Sequence, residues 1–157
     1  MIRSQGTEKP LQRGIIPMNN MDKKVLVVDD EPISLMELRR YLEEACISFE
    51  QAQNGQEALS KLKEHPDRFC AVVIDRYMPY MSGLEVLLAM QQSKQLKKIP
   101  VIMLTGLSEK EDIIETIRAG VFDYLVKPVT KDLLMPLLNR AIDIFGGLSS
   151  SHQGASL

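Results

Sequence analysis

The sequence predicts an α/β domain with a doubly wound parallel sheet. Short apolar runs recur along the chain, and segments whose apolar residues follow a helical period separate them. Strands that are buried on both faces are nearly continuous in apolar residues. Strands that alternate with helices form a parallel sheet with helices on both of its faces. These two observations together predict five strand–helix units.

Five apolar runs are the candidate strands. They are Val25–Val28, Ile47–Ala52, Cys70–Ile74, Ile99–Leu104 and Val121–Val126. Four of them are nearly continuous in apolar residues and are predicted to be buried on both faces. The second run alternates apolar and polar residues, which is typical of an edge strand.

Four of the segments between and after these runs carry apolar stripes at helical spacing. The stripes are Leu35, Leu38, Leu42 and Ala45; Ala58, Leu59 and Leu62; Leu84, Leu87 and Leu88; and Ile113, Ile114 and Ile117. Pro32 suits the first turn of the first helix, and Asn54 with Gly55 suits the start of the second. Each stripe is predicted to face the sheet.

A fifth helix is expected over residues 133–145, and its apolar arc is unusually wide. The arc spans about 200°, whereas a helix that lies on one face of a sheet needs only about 100°. We therefore expect this helix to carry a partner-binding surface, most simply for a homodimer. The alternative is that the leader or the tail of the chain covers the excess. Pro136 is expected to disturb the first turns of the helix.

Composition limits the function classes. The chain has 157 residues and a net charge of −2, so no basic excess indicates direct nucleic-acid binding. No apolar run approaches the roughly 18 residues of a membrane span. Cys46 and Cys70 are too few for a disulfide framework or a zinc site, which favours a cytoplasmic setting. Residues 1–22 are expected to be a flexible leader, 23–145 the folded domain and 146–157 a flexible tail.

Polar side chains follow four of the predicted strands. Asp29 and Asp30 follow the first, Asp75 the third, Thr105 the fourth and Lys127 the fifth. Ligands of open α/β sheets bind outside the carboxyl ends of the strands. Three crowded carboxylates need a cation, and an all-oxygen ligand set suits Mg²⁺. Each residue alone is more simply a cap or a loop charge, but the joint pattern predicts a phosphoryl-transfer site.

Four segments together resemble the receiver domains of two-component response regulators. They are VLVVDDEP, VVIDRYMPYMSGLE, VIMLTG and FDYLVKP, and the resemblance covers residues 23–145. It implies the flavodoxin-like fold, in which the five parallel strands have the order 2-1-3-4-5. In that order the first and third strands are neighbours, so the aspartates that follow them flank the switch point of the sheet.

The resemblance implies a role for each acidic residue. Asp75 corresponds to the phosphoacceptor. Asp30 would bind Mg²⁺ directly and Asp29 mainly through water, while the backbone carbonyl of Tyr77 would be the third protein ligand. The phosphoryl group would come from a histidine kinase or a phosphotransfer protein, which implies a signalling role and not an enzyme.

The resemblance also implies a switch. Thr105 and Lys127 would contact the phosphoryl oxygens, and Thr105 with Tyr124 would couple the site to the face formed by the fourth helix, fifth strand and fifth helix. That face would control a protein partner. Receiver domains commonly have a cis bond at the position of Lys127–Pro128, so we expect a cis bond here.

Single positions in the sequence argue against rival functions. A phosphatase of the haloacid dehalogenase type needs an aspartate two residues past its nucleophile, where this chain has Tyr77. No glycine lies between Gly14 and Gly55, which excludes a glycine-rich phosphate loop after the first strand. Tyr77 and Leu107 are expected to flank the phosphoryl group without helping a water molecule, so dephosphorylation should be slow. A receiver-like binding module that is not phosphorylated, or a receiver excised from a larger regulator or hybrid kinase, stays an alternative.

Overall fold

A computed structural model describes residues 22–106 and 110–155, and the side chains of its last helix as far as Gly147. Its centre is a five-stranded parallel sheet with the order β2-β1-β3-β4-β5. The strands are β1 (Lys24–Val28), β2 (Phe49–Ala52), β3 (Phe69–Asp75), β4 (Val101–Thr105) and β5 (Asp123–Val126). The predicted fold class and strand order are confirmed.

Five α-helices connect and follow the strands. They are α1 (Pro32–Glu44), α2 (Gly55–Glu64), α3 (Gly83–Gln91), α4 (Lys110–Arg118) and α5 (Lys131–Ala155), with a short 3₁₀ turn at Leu96–Lys98. Pro32 is the first residue of α1, as its fixed φ and missing N–H favour. The Asn54 side chain accepts a hydrogen bond of 2.7 Å from the backbone N–H of Glu57 and caps α2. Both predicted helix starts are confirmed.

The centre of the sheet is the core of the molecule. Val25–Val28 are fully buried, and so is every residue of β3. Strand β2 is an edge strand, as its alternation predicts. The prediction that β5 is buried on both faces is wrong, because none of its residues is fully buried. It also pairs only with β4 and forms the other edge of the sheet. A continuous apolar run therefore does not identify which strand has neighbours on both sides.

Two predicted helix stripes differ from the structure. On α4 only Thr116 is fully buried, and Ile117 of the predicted stripe is 56% exposed. On α3 the predicted Leu88 faces solvent, while Met90 is buried in its place. On α4 the stripe differs because a polar contact with the sheet takes the position of an apolar one.

Helix α5 packs on the sheet with one apolar face and leaves another exposed. The buried side chains are Leu134, Leu138, Ala141, Ile142 and Phe145. Leu133 and Ile144 remain about half exposed, so the wide apolar arc exceeds what the sheet covers. The helix contains Pro136 and continues to Ala155, past residue 145 where the sequence predicts the folded domain to end. No helix within residues 22–106 or 110–155 combines the length and apolar character of a membrane span.

The two ends of the predicted domain lie side by side. The Lys23 ammonium is 5.9 Å from the centre of the Phe145 ring, within the range of a cation–π contact. Lys23 directly precedes β1, so this contact lies at the amino ends of the strands. The residues that follow the strands lie at the opposite edge of the sheet.

Candidate functional site

Three carboxylates meet at the carboxyl edge of the sheet. Asp29 and Asp30 follow β1 and Asp75 ends β3, and these strands are neighbours. One oxygen from each of the three lies within 4.8 Å of the others. Asp29 and Asp75 are buried, whereas Asp30 is exposed. This donor set, all oxygen and open on one side, has the chemistry that a hard divalent cation prefers.

Lys127 reaches into the same cluster from the far edge of the sheet. Its Nζ lies 2.9 Å from Asp75 Oδ1 and 3.3 Å from Asp29 Oδ2. Its backbone N–H donates to the Thr105 carbonyl oxygen at 2.7 Å, and the Lys127–Pro128 peptide is cis, as predicted. The lysine therefore places one positive charge between the two buried carboxylates.

Burial and crowding change the proton affinities of these groups. Burial raises the pKa of Asp75 to about 6, with the charge of Asp29 adding to the rise and Lys127 opposing it. Burial also raises the pKa of Asp29, although the Glu31 backbone N–H and Lys127 stabilise its charged form. The pKa of Lys127 is raised as well, because Asp75 and Asp29 outweigh the effect of its own burial. Without a cation, the site therefore tends to retain a proton.

Thr105 and Tyr124 come together beneath α4. Thr105 is buried at the end of β4, and Tyr124 is half-buried on the neighbouring strand β5. Both line one narrow cleft, whose other walls are on β3 and α4. The structure thus places the two residues of the predicted switch in one space beside the acidic cluster. Leu107 lies outside the described residues.

Tyr77 lies two residues past Asp75, at the rim of the site. Its side chain is 48% exposed, and its ring centre is 5.1 Å from the Arg76 guanidinium. The role of the Tyr77 carbonyl as a metal ligand stays a prediction.

Gly83 sets how closely α3 approaches the acceptor strand. Its backbone N–H donates to the Arg76 carbonyl oxygen at 2.8 Å. A Cβ at this position would overlap the Asp75 carbonyl oxygen and would lie 3.0 Å from the Met103 sulfur. Only glycine allows this close approach of the helix to the strand.

Sequence reasoning missed Arg76. This residue directly follows Asp75, yet its side chain is buried and contacts α4. The signal that could have found it is an arginine at the end of a buried strand, together with acidic residues three positions apart on a helix, Asp112 and Glu115. Such an arginine needs partners, because a buried charge is costly when it is unpaired.

These features define a class of protein, and comparison with known proteins agrees. The chain belongs to the response regulator receiver domain family, since the model of that family matches residues 25–139. Receiver domains are signalling domains that accept phosphoryl groups and interact with histidine kinases. The resemblance that the sequence motifs predict is confirmed.

Individual relatives show how far the similarity extends. The transcriptional regulatory protein ResD of Bacillus subtilis is 37% identical over 107 residues, which cover 68% of this chain and 42% of ResD. The chain thus spans less than half the length of that relative.

Two solved structures share the fold. Chemotaxis protein CheY4 of Vibrio cholerae has a TM-score of 0.69 and 35% identity, covering 76% of this chain and 98% of that one. The receiver domain of sensor histidine kinase PA1611 from Pseudomonas aeruginosa has a TM-score of 0.70 and 23% identity, covering 77% and 98%. That receiver is described with a magnesium ion coordinated in its active-site cleft.

Proposed function

We propose that Asp75 accepts a phosphoryl group from the phosphohistidine of a histidine kinase or a phosphotransfer protein. One observation carries the proposal. Asp75 lies within 4.8 Å of two further carboxylates and 2.9 Å from the Lys127 ammonium. An acyl phosphate at Asp75 would therefore form beside a cation-binding group and an anion-binding group, as phosphoryl transfer requires.

The reaction needs little from the acceptor beyond position and charge. A carboxylate oxygen of Asp75 attacks the phosphorus, the phosphorus–nitrogen bond of phosphohistidine breaks, and the released imidazole takes up a proton from solvent. Lys127 moves from pairing with the Asp75 carboxylate to pairing with the new phosphoryl oxygens. The Thr105 hydroxyl is the proposed second group that binds them.

Magnesium fits the donor set of this site. The proposed ligands are oxygens of Asp29, Asp30 and Asp75, with the Tyr77 carbonyl as a further ligand. When bound, Mg²⁺ supplies charge neutralisation between the anionic acceptor and the anionic donor. Because Asp30 is exposed while Asp29 is buried and held by the Glu31 N–H at 2.9 Å, Asp30 is the ligand that is free to adjust to an arriving cation.

We propose that the α4–β5–α5 face reads the phosphorylated state. Movement of Thr105 toward the phosphoryl group would leave room for Tyr124, which shares a cleft with it. Exposed apolar side chains already lie on this face, namely Ile117 on α4, Val126 on β5 and Leu133 on α5. Apolar surface of this kind fits a second copy of the chain, so a homodimer is the proposed arrangement.

A surface cavity of mixed polar and apolar lining beside the acidic cluster is the proposed contact site for the phosphodonor. Met36 and Arg39 of α1 line a cavity of about 250 Å³ together with Asp29 and Asp30. Ile33, one turn away, is largely exposed. A partner that rests on this end of α1 brings its phosphohistidine to the open side of the site.

The function is signalling and not catalysis of an external substrate, because the acceptor is part of the chain. The proposed domain comprises residues 23–145 and acts in the cytoplasm. Its proposed output goes through contacts with other proteins, and it is proposed to bind neither nucleic acid nor a membrane directly.

Mass spectrometry after incubation with Mg²⁺ and acetyl phosphate tests the proposal. We expect the parent to gain one phosphoryl group and Asp75→Asn to gain none. Asp143→Asn, which changes an exposed aspartate on α5, serves as the matched control and should behave as the parent. A parent that stays unmodified, or an Asp75→Asn variant that is modified elsewhere at a similar rate, would contradict the assignment.

A further inference from the structure

A buried arginine joins the acceptor strand to α4. The Arg76 guanidinium lies 2.8 Å from the Glu115 carboxylate and 3.4 Å from Asp112, through Nη2. Its Nη1 donates to the Thr116 hydroxyl at 3.0 Å, and that hydroxyl donates to the Asp112 carbonyl oxygen at 2.9 Å. Arg76 therefore contacts three residues on one face of a single helix.

This cluster is the principal attachment of α4 to the sheet. Thr116, which the arginine contacts, is the one fully buried residue of α4, and the isoleucines Ile114 and Ile117 are exposed. Ile113 alone of the three isoleucines is half-buried, at the cleft between α4 and the sheet, so α4 gains little from the hydrophobic effect at the sheet. Its position must then depend on polar contacts, which a change of charge or salt can alter.

The same cluster closes the cleft that the switch residues share. Arg76, Thr105 and Tyr124 line this cleft from the sheet, and Asp112 and Thr116 line it from α4. The cleft does not admit a sphere the size of a water molecule. Tyr124 already lines this cleft. A movement of α4 away from the sheet would enlarge the space for its ring, and such a movement has to break or stretch the Arg76 contacts.

We propose that Arg76 is a positioning residue that holds α4 in its resting place and thereby sets how readily the α4–β5–α5 face changes state. The first part, the tether, depends only on the geometry of the unphosphorylated chain. The second part, control of the switch, rests on the proposed function.

Loss of the tether should not unfold the protein. The Glu115 side chain is 61% exposed and stays solvated when its partner is removed, and Thr116 keeps its bond to the Asp112 carbonyl. Among the described residues Arg76 Nε has no hydrogen-bond partner. The guanidinium therefore keeps one buried donor unsatisfied. The Asp112 side chain is 26% exposed as well, so removal of Arg76 leaves no fully buried charge without a partner.

Hydrogen–deuterium exchange of the full chain tests the tether. In Arg76→Met we expect the amides of residues 110–118 to exchange about tenfold faster than in the parent. The amides of α2, residues 55–64, should keep their rates, and the urea midpoint should stay close to that of the parent. Arg76→Lys should restore part of the protection, because a lysine can keep one ion pair with Glu115.

Two controls separate a tether from general loosening. Added salt should accelerate α4 exchange in the parent but not in Arg76→Met, which has no ion pair left to screen. Arg140→Met, which removes the exposed ion pair with Asp123 at 3.2 Å, should leave α4 unchanged. Unchanged α4 exchange in Arg76→Met would overturn the proposal, and so would equal acceleration of α2 and α4 with a lower urea midpoint.

Phosphorylation by acetyl phosphate and Mg²⁺ tests the second part. The parent should show faster α4 exchange after it gains the phosphoryl group, whereas Arg76→Met should change much less because its α4 is already released. Equal responses in the two proteins would overturn the control of the switch. Intact mass is measured on the same samples. A missing phosphoryl group would refute the proposed function, and the unphosphorylated samples would still show whether Arg76 tethers α4.

Discussion

In the proposed reaction, a proton and the phosphorus of the donor compete for the same carboxylate oxygen of Asp75. Burial and the neighbouring Asp29 favour the protonated carboxyl, and the Lys127 ammonium favours the carboxylate, with a resulting pKa of about 6. A protonated carboxyl cannot attack phosphorus. In the proposed site, Mg²⁺ and Lys127 would together keep the Asp75 carboxylate ionised.

Metal-free stability should therefore fall as the pH rises from about 4 to about 6. The folded pKa of Asp75 lies above its unfolded value, so the folded state holds an extra proton in this window, and that advantage of about 1–3 kcal/mol is lost as the proton leaves. Urea unfolding at several pH values, with chelator, measures the effect. Asp75→Asn should flatten the fall. A slope equal to that of the parent would contradict the pKa assignment.

The slow dephosphorylation that the sequence predicts would depend on Tyr77. Its half-exposed ring lies against the Arg76 guanidinium, and it has neither a carboxylate nor an amide to orient a hydrolytic water. We expect Tyr77→Asn to shorten the acyl-phosphate lifetime at least severalfold, since the amide is smaller and can bind water. Decay of the phosphorylated mass over time measures it. Tyr80→Asn, at a fully exposed tyrosine of the same loop, is the control, and an unchanged lifetime in Tyr77→Asn would refute the idea.

At the scale of elements, the strands that carry the acidic cluster and the elements of the proposed output face differ in burial. The strands β1 and β3 lie in the fully buried core, whereas α4 and β5 carry exposed apolar side chains. The acidic cluster is therefore mounted on the rigid part of the sheet, and the proposed output face on the less buried part. This division lets a local charge change move the face without disturbing the cation site.

Leu133→Asp tests the proposed dimer face. Leu133 is 51% exposed at the start of α5, where a negative charge is favourable for the helix itself, so loss of association would not reflect loss of the helix. Sedimentation of the phosphorylated parent should show a dimer that Leu133→Asp weakens by tenfold or more. Ile33→Asp, at an exposed isoleucine of α1, should associate as the parent. A parent that is monomeric in both states removes the case.

The strand ends were predictable from sequence because a parallel sheet brings them to one edge whatever the loops do. Asp29, Asp75 and Lys127 follow apolar runs, and this pattern alone placed them together. The outward face of α4 was not predictable from the Ile113, Ile114 and Ile117 spacing, because periodicity assumes that the apolar stripe faces the core. Arg76 reverses that assumption, since its buried guanidinium attracts the polar face of α4 to the sheet.

At the scale of the whole molecule, the buried carboxylates of the site lower the stability of the folded domain. Two buried carboxylates share one ammonium, at the end of a sheet whose interior is otherwise apolar. A cation that binds only the folded site then stabilises the entire domain by mass action.

Mg²⁺ should accordingly raise the thermal midpoint of the parent. At a hundredfold excess over its dissociation constant, one bound ion contributes about 2.7 kcal/mol. Asp30→Ala should abolish most of this gain, and because Asp30 is exposed the variant should fold as the parent does without metal. Thermal denaturation with and without Mg²⁺ measures both. Asp22→Ala, at an exposed aspartate outside the cluster, is the control, and an equal Mg²⁺ response in Asp30→Ala would contradict the ligand set.

The contact between Lys23 and Phe145 has a consequence for protein engineering. Because the two ends of the 23–145 unit are adjacent at the edge of the sheet remote from Asp75, a short linker could join them without crossing the fold. New termini could then be opened in the surface turn near Ser93–Gln95, between α3 and the 3₁₀ turn. For the same reason, a reporter domain fused at either original end departs from the side opposite the acidic cluster and leaves the approach of a phosphodonor clear.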